Sequence, residues 1–160
     1  MIEHQIGTVV FGWNQGNKQE INLGGQNNQK IVQVPTAKLK ARIQQLCEQY
    51  GINFVETEES YTSKASFLDN DTLPKYGEKP IDWKPSGKRT KRGLYRTALN
   101  WYVNADSNGA ANIIRKVSVT LGLDLSGASR AALTQPQRIK LWSAKQTRRL
   151  AALASTVASV

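Results

Sequence analysis

Residues 104–116, NADSNGAANIIRK, set one aspartate among small residues at the start of a helix. The helix is predicted to begin at Asp106 and to end at Gly122, because an apolar stripe runs between them at helical spacing. The members of that stripe are Ala110, Ile113, Ile114, Val117 and Leu121. The apolar run before it, residues 99–104, predicts a strand. The stretch therefore predicts a strand-to-helix junction that carries a carboxylate.

An aspartate at such a junction has two interpretations. As a helix N-cap, Asp106 would accept hydrogen bonds from the backbone N–H of Asn108 or Gly109 and complement the helix dipole. As a metal ligand, it would hold a divalent cation where its small neighbours let an ion or a phosphate approach. Two-metal phosphodiester chemistry needs several carboxylates, so Asp106 alone does not decide between the two.

Upstream, the pattern predicts a strand–helix–strand unit. Residues 6–13 and 52–59 are short apolar runs typical of strands, and residues 14–30 suit the turns of a hairpin. A helix is predicted over residues 36–50, capped by Thr36 and ended by Gly51, with an apolar stripe at Leu39, Ile43, Leu46 and Tyr50. This order predicts an α/β unit whose helix covers one face of a sheet.

The rest of the chain is less regular in pattern. Residues 60–97 hold prolines and glycines with little apolar periodicity, which predicts a long, mostly irregular insertion. A last, basic helix is predicted over residues 137–158. The chain accordingly divides into four predicted parts, residues 1–59, 60–98, 99–124 and 125–160.

Charge is segregated along the chain. Lysine and arginine number 22 against 12 acidic residues, for a net charge of +10. Residues 84–96 contain six basic residues and no acidic one, and they are Lys84, Lys88, Arg89, Lys91, Arg92 and Arg96. This run favours a nucleic-acid partner over a generally solvated surface. The aromatic residues near it would either stack on unpaired bases or pack in the core, and they are Trp83, Tyr95, Trp101 and Tyr102.

Other features narrow the class of protein. Cys47 is the only cysteine, which excludes an internal disulfide and fits a reducing, cytoplasmic location. No apolar window is long enough to span a membrane, and the N-terminus does not resemble a signal peptide. His4 is the only histidine, so a Ser-His-Asp or Cys-His mechanism has no support. The sequence also lacks zinc-binding cysteine pairs, a P-loop and a dinucleotide-binding motif.

A second acidic cluster ends the strand predicted over residues 52–59. Alternation along that strand directs Glu56 and Glu58 to one face and Glu59 to the other. Three carboxylates so close together repel one another unless a cation or a basic side chain is present. The cluster is either a solvated strand end beside the basic run or part of a metal site.

Three stretches in order carry a resemblance to a known family. They are YTSKASFLD (61–69), GKRTKRGLYR (87–96) and NADSNGAANIIRK (104–116). Together they resemble the C-terminal part of the TnpB (OrfB) family, transposon-encoded RNA-guided DNA endonucleases related to the type V CRISPR nucleases. The resemblance covers about residues 6–142. It implies a partial RNase H-like (RuvC-type) fold, Mg²⁺-dependent hydrolysis of DNA, and guide RNA and DNA as partners.

The resemblance also assigns site residues. The family's final RuvC aspartate, in a D-x-N-[AG]-A-x-N motif, falls on Asp106, and the rest of the motif is matched by Asn108, Ala111 and Asn112. The family's middle glutamate usually ends the strand that corresponds to TVVFGW, where this chain has Gly12. In rearranged members the glutamate lies three residues before the T-S pair, which is Glu59 here, with Glu58 as the near alternative. Asp106 and Glu59 are thus the expected catalytic residues and Mg²⁺ ligands.

The chain departs from the family in two ways. The first two cysteines of the family's zinc ribbon fall on Ser66 and Asp69, so no zinc is expected. The strand with the first RuvC aspartate lies upstream in the family, and the chain begins too late to include it. The resemblance therefore implies a C-terminal fragment or subunit of a TnpB-like endonuclease, active only with an N-terminal partner chain. The alternative is a non-catalytic remnant that binds DNA or RNA.

Overall fold

The computed structural model describes residues 5–14 and 36–135. In chain order, this part of the protein contains the elements β1 (Thr8–Gly12), α1 (Thr36–Gln49), β2 (Asn53–Thr57), β3 (Lys88–Lys91), β4 (Leu94–Arg96), β5 (Tyr102–Asn104), α2 (Ala105–Leu121) and α3 (Arg130–Thr134). The hairpin predicted over residues 14–30 and the basic helix over 137–158 lie outside the described residues. None of the described helices is long and apolar enough to cross a membrane.

Strands β1 and β2 form a parallel pair, in a register that runs from Thr8 opposite Asn53 to Gly12 opposite Thr57. The strands predicted over residues 6–13 and 52–59 are therefore both present and lie in one sheet. Parallel strands need a crossover connection, and α1 lies in that connection. Cys47 of α1 is fully buried, and its carbonyl accepts a 2.8 Å hydrogen bond from the backbone N–H of Ile52 at the entry to β2.

Strands β3, β4 and β5 form a second, antiparallel sheet in that order. Residues 60–97 are mostly irregular, as expected, apart from β3 and β4. Gly93 makes the turn between them with a φ of +76°, a conformation that glycine adopts without strain. The strand predicted over residues 99–104 is shorter than expected, begins at Tyr102, and pairs with β4 rather than with the parallel sheet.

The core lies between the antiparallel sheet and α2. It consists of Tyr95, Val103, Ala105, Ala111 and Leu133, with Phe67 and Leu68 packed against it. Gly87 permits this packing, because a Cβ at that position would lie 2.5 Å from the carbonyl oxygen of Arg96 and 2.6 Å from the Tyr95 ring. The glycines and the tyrosine of the GKRTKRGLYR stretch are thus structural residues.

Helix α2 begins one residue before the predicted start. Its N-cap is Asn104, whose side-chain oxygen accepts hydrogen bonds of 2.9 Å from the backbone N–H groups of Asp106 and Ser107. The N-cap interpretation of Asp106 is therefore wrong, because the asparagine two residues earlier already has that role. At the other end Gly122 caps the helix at a φ of 61°, as the sequence predicted.

Candidate functional site

Two buried asparagines of α2 hold the loop that follows β2. Asn108 accepts a 3.0 Å hydrogen bond from the backbone N–H of Phe67 and donates one of 2.8 Å to the carbonyl of Ala65. One turn on, Asn112 donates to the carbonyls of Thr62 and Ala65, both at 2.9 Å. Both side chains are fully buried. These two motif residues therefore fix the loop against the helix, and this loop begins with the acidic cluster.

Glu59, at the start of that loop, lies over Gly12 at the end of β1. A Cβ on residue 12 would lie 3.1 Å from both Cβ and Oε2 of Glu59, and 2.8 Å from Cδ1 of Ile113 in α2. The backbone N–H of Glu59 also donates a 3.0 Å hydrogen bond to the Asn14 side chain. The Glu59 side chain thus occupies the space in which a side chain at position 12 would begin.

Glu58 has a different environment from Glu59. Its carboxylate forms an ion pair with Lys116 of α2 and accepts a 2.8 Å hydrogen bond from the backbone N–H of Ser60. Burial alone would raise the pKa of Glu58, but the hydrogen bonds from Lys116 and Ser60, together with the Lys116 charge, outweigh it and lower the pKa. Glu58 is therefore held as a carboxylate by a structural ion pair.

Asp106 lies in the first turn of α2, with its side chain 82% exposed. Its Oδ1 accepts a 2.9 Å hydrogen bond from Nη2 of Arg89 in β3. The positive end of the helix dipole stabilises a carboxylate at this position. Ile113, which contacts the space over Gly12, follows Asp106 by seven residues, so the two project from the same face of α2, about 10 Å apart along the axis.

Asp106 and Glu59 therefore border the same face of α2. That their carboxylates come within about 6–8 Å, the span of a shared two-metal site, stays a prediction. Carboxylate oxygens are the donors that Mg²⁺ prefers, so both residues fit that ion by chemistry. Across the described residues there is no group of three or more Asp, Glu, His or Cys side chains placed to hold a metal. Two carboxylates alone would supply only part of the ligand set of a metal ion.

The predicted nucleic-acid-binding residues lie on and around β3. All four residues of β3 are exposed, as are Lys84 and Arg92, whereas Arg96 is half-buried. Lys88, Arg96 and Tyr102 are opposite one another in the register of β3, β4 and β5, and residues opposite one another share a face of a sheet. One face of the antiparallel sheet thus carries a row of two cations and an aromatic ring.

The four aromatic residues divide into two groups. Tyr95 is fully buried and its hydroxyl donates a 2.8 Å hydrogen bond to the carbonyl of Lys64, while burial, followed by the charges of nearby aspartates, raises the pKa of Tyr95 to about 12. Trp83 packs against Tyr61 at 5.4 Å between ring centroids. Trp101 and Tyr102 are exposed. The Arg130 guanidinium lies over the Trp101 ring, 5.4 Å from its centroid, so Tyr102 is the more accessible of the two to an unpaired base.

Side-chain hydrogen bonds hold the segment around Ser66 and Asp69, onto which the resemblance places the first two zinc ligands of the TnpB family. Asp71 accepts bonds from the backbone N–H groups of Ser66, at 2.7 Å, and Ser86, at 3.0 Å, and also from the Ser86 hydroxyl. Asp69 accepts a 2.8 Å bond from the backbone N–H of Ala98. No motif or spacing in the sequence predicted this role of Asp71. Together these bonds join three distant parts of the chain.

We found no match when we compared the chain with models of known protein families, with curated proteins and with solved structures.

Proposed function

We propose that the chain is the C-terminal, RuvC-like part of a TnpB-like RNA-guided DNA endonuclease. The observation that carries the proposal is the position of Glu59 over Gly12. The resemblance expects a glutamate at the end of β1 and offers Glu59 as its substitute. In this chain the Glu59 side chain lies within about 3 Å of the point where a residue-12 side chain would begin. A carboxylate from the next strand can thus take the place of the one that β1 lacks.

The position of Glu59 supports the same assignment. Glu58 is bound to Lys116, and a metal there would have to displace a buried cation. Glu59 lies beside Gly12 of β1 and Ile113 of α2. Ile113 and Asp106 project from the same face of α2. We therefore assign Asp106 and Glu59 as the Mg²⁺ ligands. The exposed cations of β3 and its neighbours would bind phosphates without selecting a sequence.

When bound, Mg²⁺ would activate water and stabilise the leaving oxygen of a DNA phosphodiester. Asp106 and Glu59 would contribute oxygen ligands, and the RuvC aspartate expected on a partner chain would complete them. The proposal includes an RNase H-like fold, which the parallel β1–β2 pair and the strand-to-helix junction at Asp106 support. It also includes a cytoplasmic location, which the single, buried Cys47 suits.

A relocation of the carboxylate tests the proposal. The chain is combined with guide RNA and an N-terminal segment that carries the missing strand and aspartate, and Mg²⁺-dependent DNA cleavage is measured. We expect Asp106→Ala and Glu59→Gly each to abolish cleavage. Gly12→Glu together with Glu59→Gly should restore part of it, because the double variant returns a carboxylate to the same space.

Glu58→Gln is the matched control and should still cleave, because it removes a neighbouring carboxylate that has a structural role. Gly12→Glu alone should be less stable than the double variant, since its Cβ would lie 3.1 Å from Cβ and Oε2 of Glu59 and two carboxylates would share the space. Cleavage that survives both Asp106→Ala and Glu59→Gly would show that the catalytic carboxylates are elsewhere.

The second candidate function is nucleic-acid binding without catalysis. It is favoured by one observation, the exposure of the cations on β3 in a protein with a net charge of +10. In that case the chain should bind DNA or RNA equally well with Mg²⁺ or with EDTA. The completed assembly should then show no Mg²⁺-dependent cleavage, either with the parent chain or with Asp106→Ala.

A further inference from the structure

Arg89, in β3 of the antiparallel sheet, contacts Asp106, the proposed metal ligand. In the register of the sheet Arg89 lies opposite Tyr95, and Tyr95 lies opposite Val103, so the three share one face. Tyr95 and Val103 are buried on that face, against the core beside α2. Arg89, on the edge strand, extends past them to Asp106, with 2.9 Å between Nη2 and Oδ1.

The contact leaves both groups available to further ligands. It joins one guanidinium nitrogen to one carboxylate oxygen, with the Arg89 side chain 50% exposed and that of Asp106 82% exposed. A guanidinium has five N–H donors in a geometry that suits phosphate oxygens, and a carboxylate has about four acceptor positions. An anion at Arg89 and a cation at Asp106 can therefore be bound side by side.

We propose that Arg89 makes the binding of Mg²⁺ and the binding of a phosphodiester at Asp106 depend on each other; this inference rests on the proposed function. A cation held by Asp106 at about 2.1 Å would lie within about 5 Å of the guanidinium, and the two positive groups would repel each other. A phosphodiester between them would be attracted by both. Arg89 thus opposes metal binding in the free chain and favours it when nucleic acid is bound.

The neighbouring Arg92 provides a matched control. It is exposed in the turn between β3 and β4, and Arg92→Gln removes the same charge from the same hairpin as Arg89→Gln. The structure shows an ion pair to Asp106 from Arg89. The two variants therefore separate the local contact from the general loss of positive charge.

The experiment measures the affinity of the intact chain for Mn²⁺, used in place of Mg²⁺, by electron paramagnetic resonance of the free ion. Titrations are made with and without a short single-stranded oligodeoxynucleotide, and the oligonucleotide alone is titrated for correction. Without the oligonucleotide, Arg89→Gln should tighten Mn²⁺ binding about two- to fivefold, the range of one exposed charge pair. In the parent chain the oligonucleotide should raise the affinity for Mn²⁺. In Arg89→Gln this increase should be lost. Arg92→Gln should weaken oligonucleotide binding but keep both Mn²⁺ affinities near those of the parent.

Equal Mn²⁺ affinities for Arg89→Gln and Arg92→Gln under both conditions would overturn the inference. Asp106→Asn tells this failure from a failure of the proposed function. If Asp106→Asn abolishes Mn²⁺ binding while the two arginine variants behave alike, only the role of Arg89 is wrong. If Asp106→Asn leaves Mn²⁺ binding unchanged, the metal site itself is wrong and the inference fails with it. Circular dichroism of each variant verifies that it is folded.

Discussion

The two sides of α2 use polar residues in opposite ways. On one side, Asn108 and Asn112 are fully buried and bind backbone groups of the loop after β2. On the other, Asp106 and Arg89 form an ion pair in contact with solvent. A buried hydrogen bond is lost at a high free-energy cost because its partner is left without water, whereas an exposed pair exchanges readily with solvent. The first arrangement holds the fold, and the second leaves charge free for ligands.

The largest expected effect is on the buried side. Asn112→Ala should lower the free energy of unfolding by about 3 kcal/mol, because it removes two hydrogen bonds and leaves the carbonyls of Thr62 and Ala65 buried without that donor. Urea denaturation of both proteins measures the change. Asn53→Ala, at an exposed position of β2, is the control and should change stability little. If Asn112→Ala and Asn53→Ala lower the free energy of unfolding equally, the buried asparagine of α2 stabilises the fold no more than an exposed one does.

A smaller loss is expected from Tyr95→Phe. The variant keeps the ring in the core but loses the hydrogen bond to the carbonyl of Lys64, which should lower the free energy of unfolding by about 1–2 kcal/mol. Tyr50→Phe, at an exposed tyrosine, serves as the control. Thermal denaturation compares the two variants. If Tyr95→Phe is as stable as the parent, the hydrogen bond from the Tyr95 hydroxyl to Lys64, in the loop after β2, does not stabilise the fold.

The Glu58–Lys116 ion pair is less exposed than the Arg89–Asp106 pair, and its contribution to stability should depend on pH. The pKa of Glu58 in the folded protein is below its ordinary value of 4.5, so the pair stabilises the fold above that pH and is lost as pH falls through the folded pKa. Glu58→Gln should therefore lower the free energy of unfolding by about 1 kcal/mol at neutral pH. The difference between the proteins should shrink below pH 4.5. A constant difference across this range would exclude the ionised pair as its cause.

On the exposed side, stability should be almost unchanged while binding falls. Alanine at Lys88, Arg89, Lys91 and Arg92 should alter the free energy of unfolding by at most about 0.5 kcal/mol per substitution, since single exposed substitutions rarely do more. Binding to DNA and RNA should weaken, and its dependence on salt should flatten, because fewer counterions are displaced. Filter binding at several salt concentrations measures the slope.

A variant of equal charge controls for that result. Alanine at Lys38, Arg42, Lys75 and Lys79 also removes four positive charges, at exposed positions outside the antiparallel sheet. It should retain the salt slope of the parent chain. If both quadruple variants have the same slope, general charge and not the hairpin determines binding.

The smallest expected effect concerns metal removal. The segment that holds Ser66, Asp69 and Asp71 is joined by hydrogen bonds, so EDTA should leave the melting temperature of the chain unchanged. Elemental analysis of the purified protein should find no stoichiometric zinc. Stoichiometric zinc, or a lower melting temperature in EDTA, would show that a metal has a part in this segment after all.

Several helices and strands were predictable from the regular spacing of apolar residues in the sequence. Helices α1 and α2 and both strands of the parallel sheet were predicted from apolar patterns, with Gly122 ending α2. The predicted stripes are not the buried faces, because Leu39 of α1 and Ala110 of α2 are exposed. The buried residues are Cys47 of α1 and, in α2, Ala105, Asn108, Gly109, Ala111 and Asn112. Strand β3 was missed because all four of its residues are exposed, so no alternation of polar and apolar residues marks it. Its only local signal was Gly93, the residue that makes the turn to β4.

The candidate site was only partly predictable for a similar reason. Asp106 stood out by its type and its small neighbours, and the resemblance pointed to Glu59. The Arg89 contact joins a hairpin to a helix and depends on a strand register that the sequence did not reveal. Asn104 was missed as the N-cap because an aspartate two residues later fits the same preference.

The close packing over Gly12 restricts how such a chain can change during evolution. A glutamate at both positions would overpack the space between β1 and Ile113, and with neither glutamate the space would hold no carboxylate. Single substitutions between the two arrangements therefore pass through a protein that is strained or one that lacks the charge. If Glu59 has the role proposed for it, a side chain added at position 12 would lie about 3 Å from Glu59 and Ile113, so the exchange of the two positions would be hard to reverse.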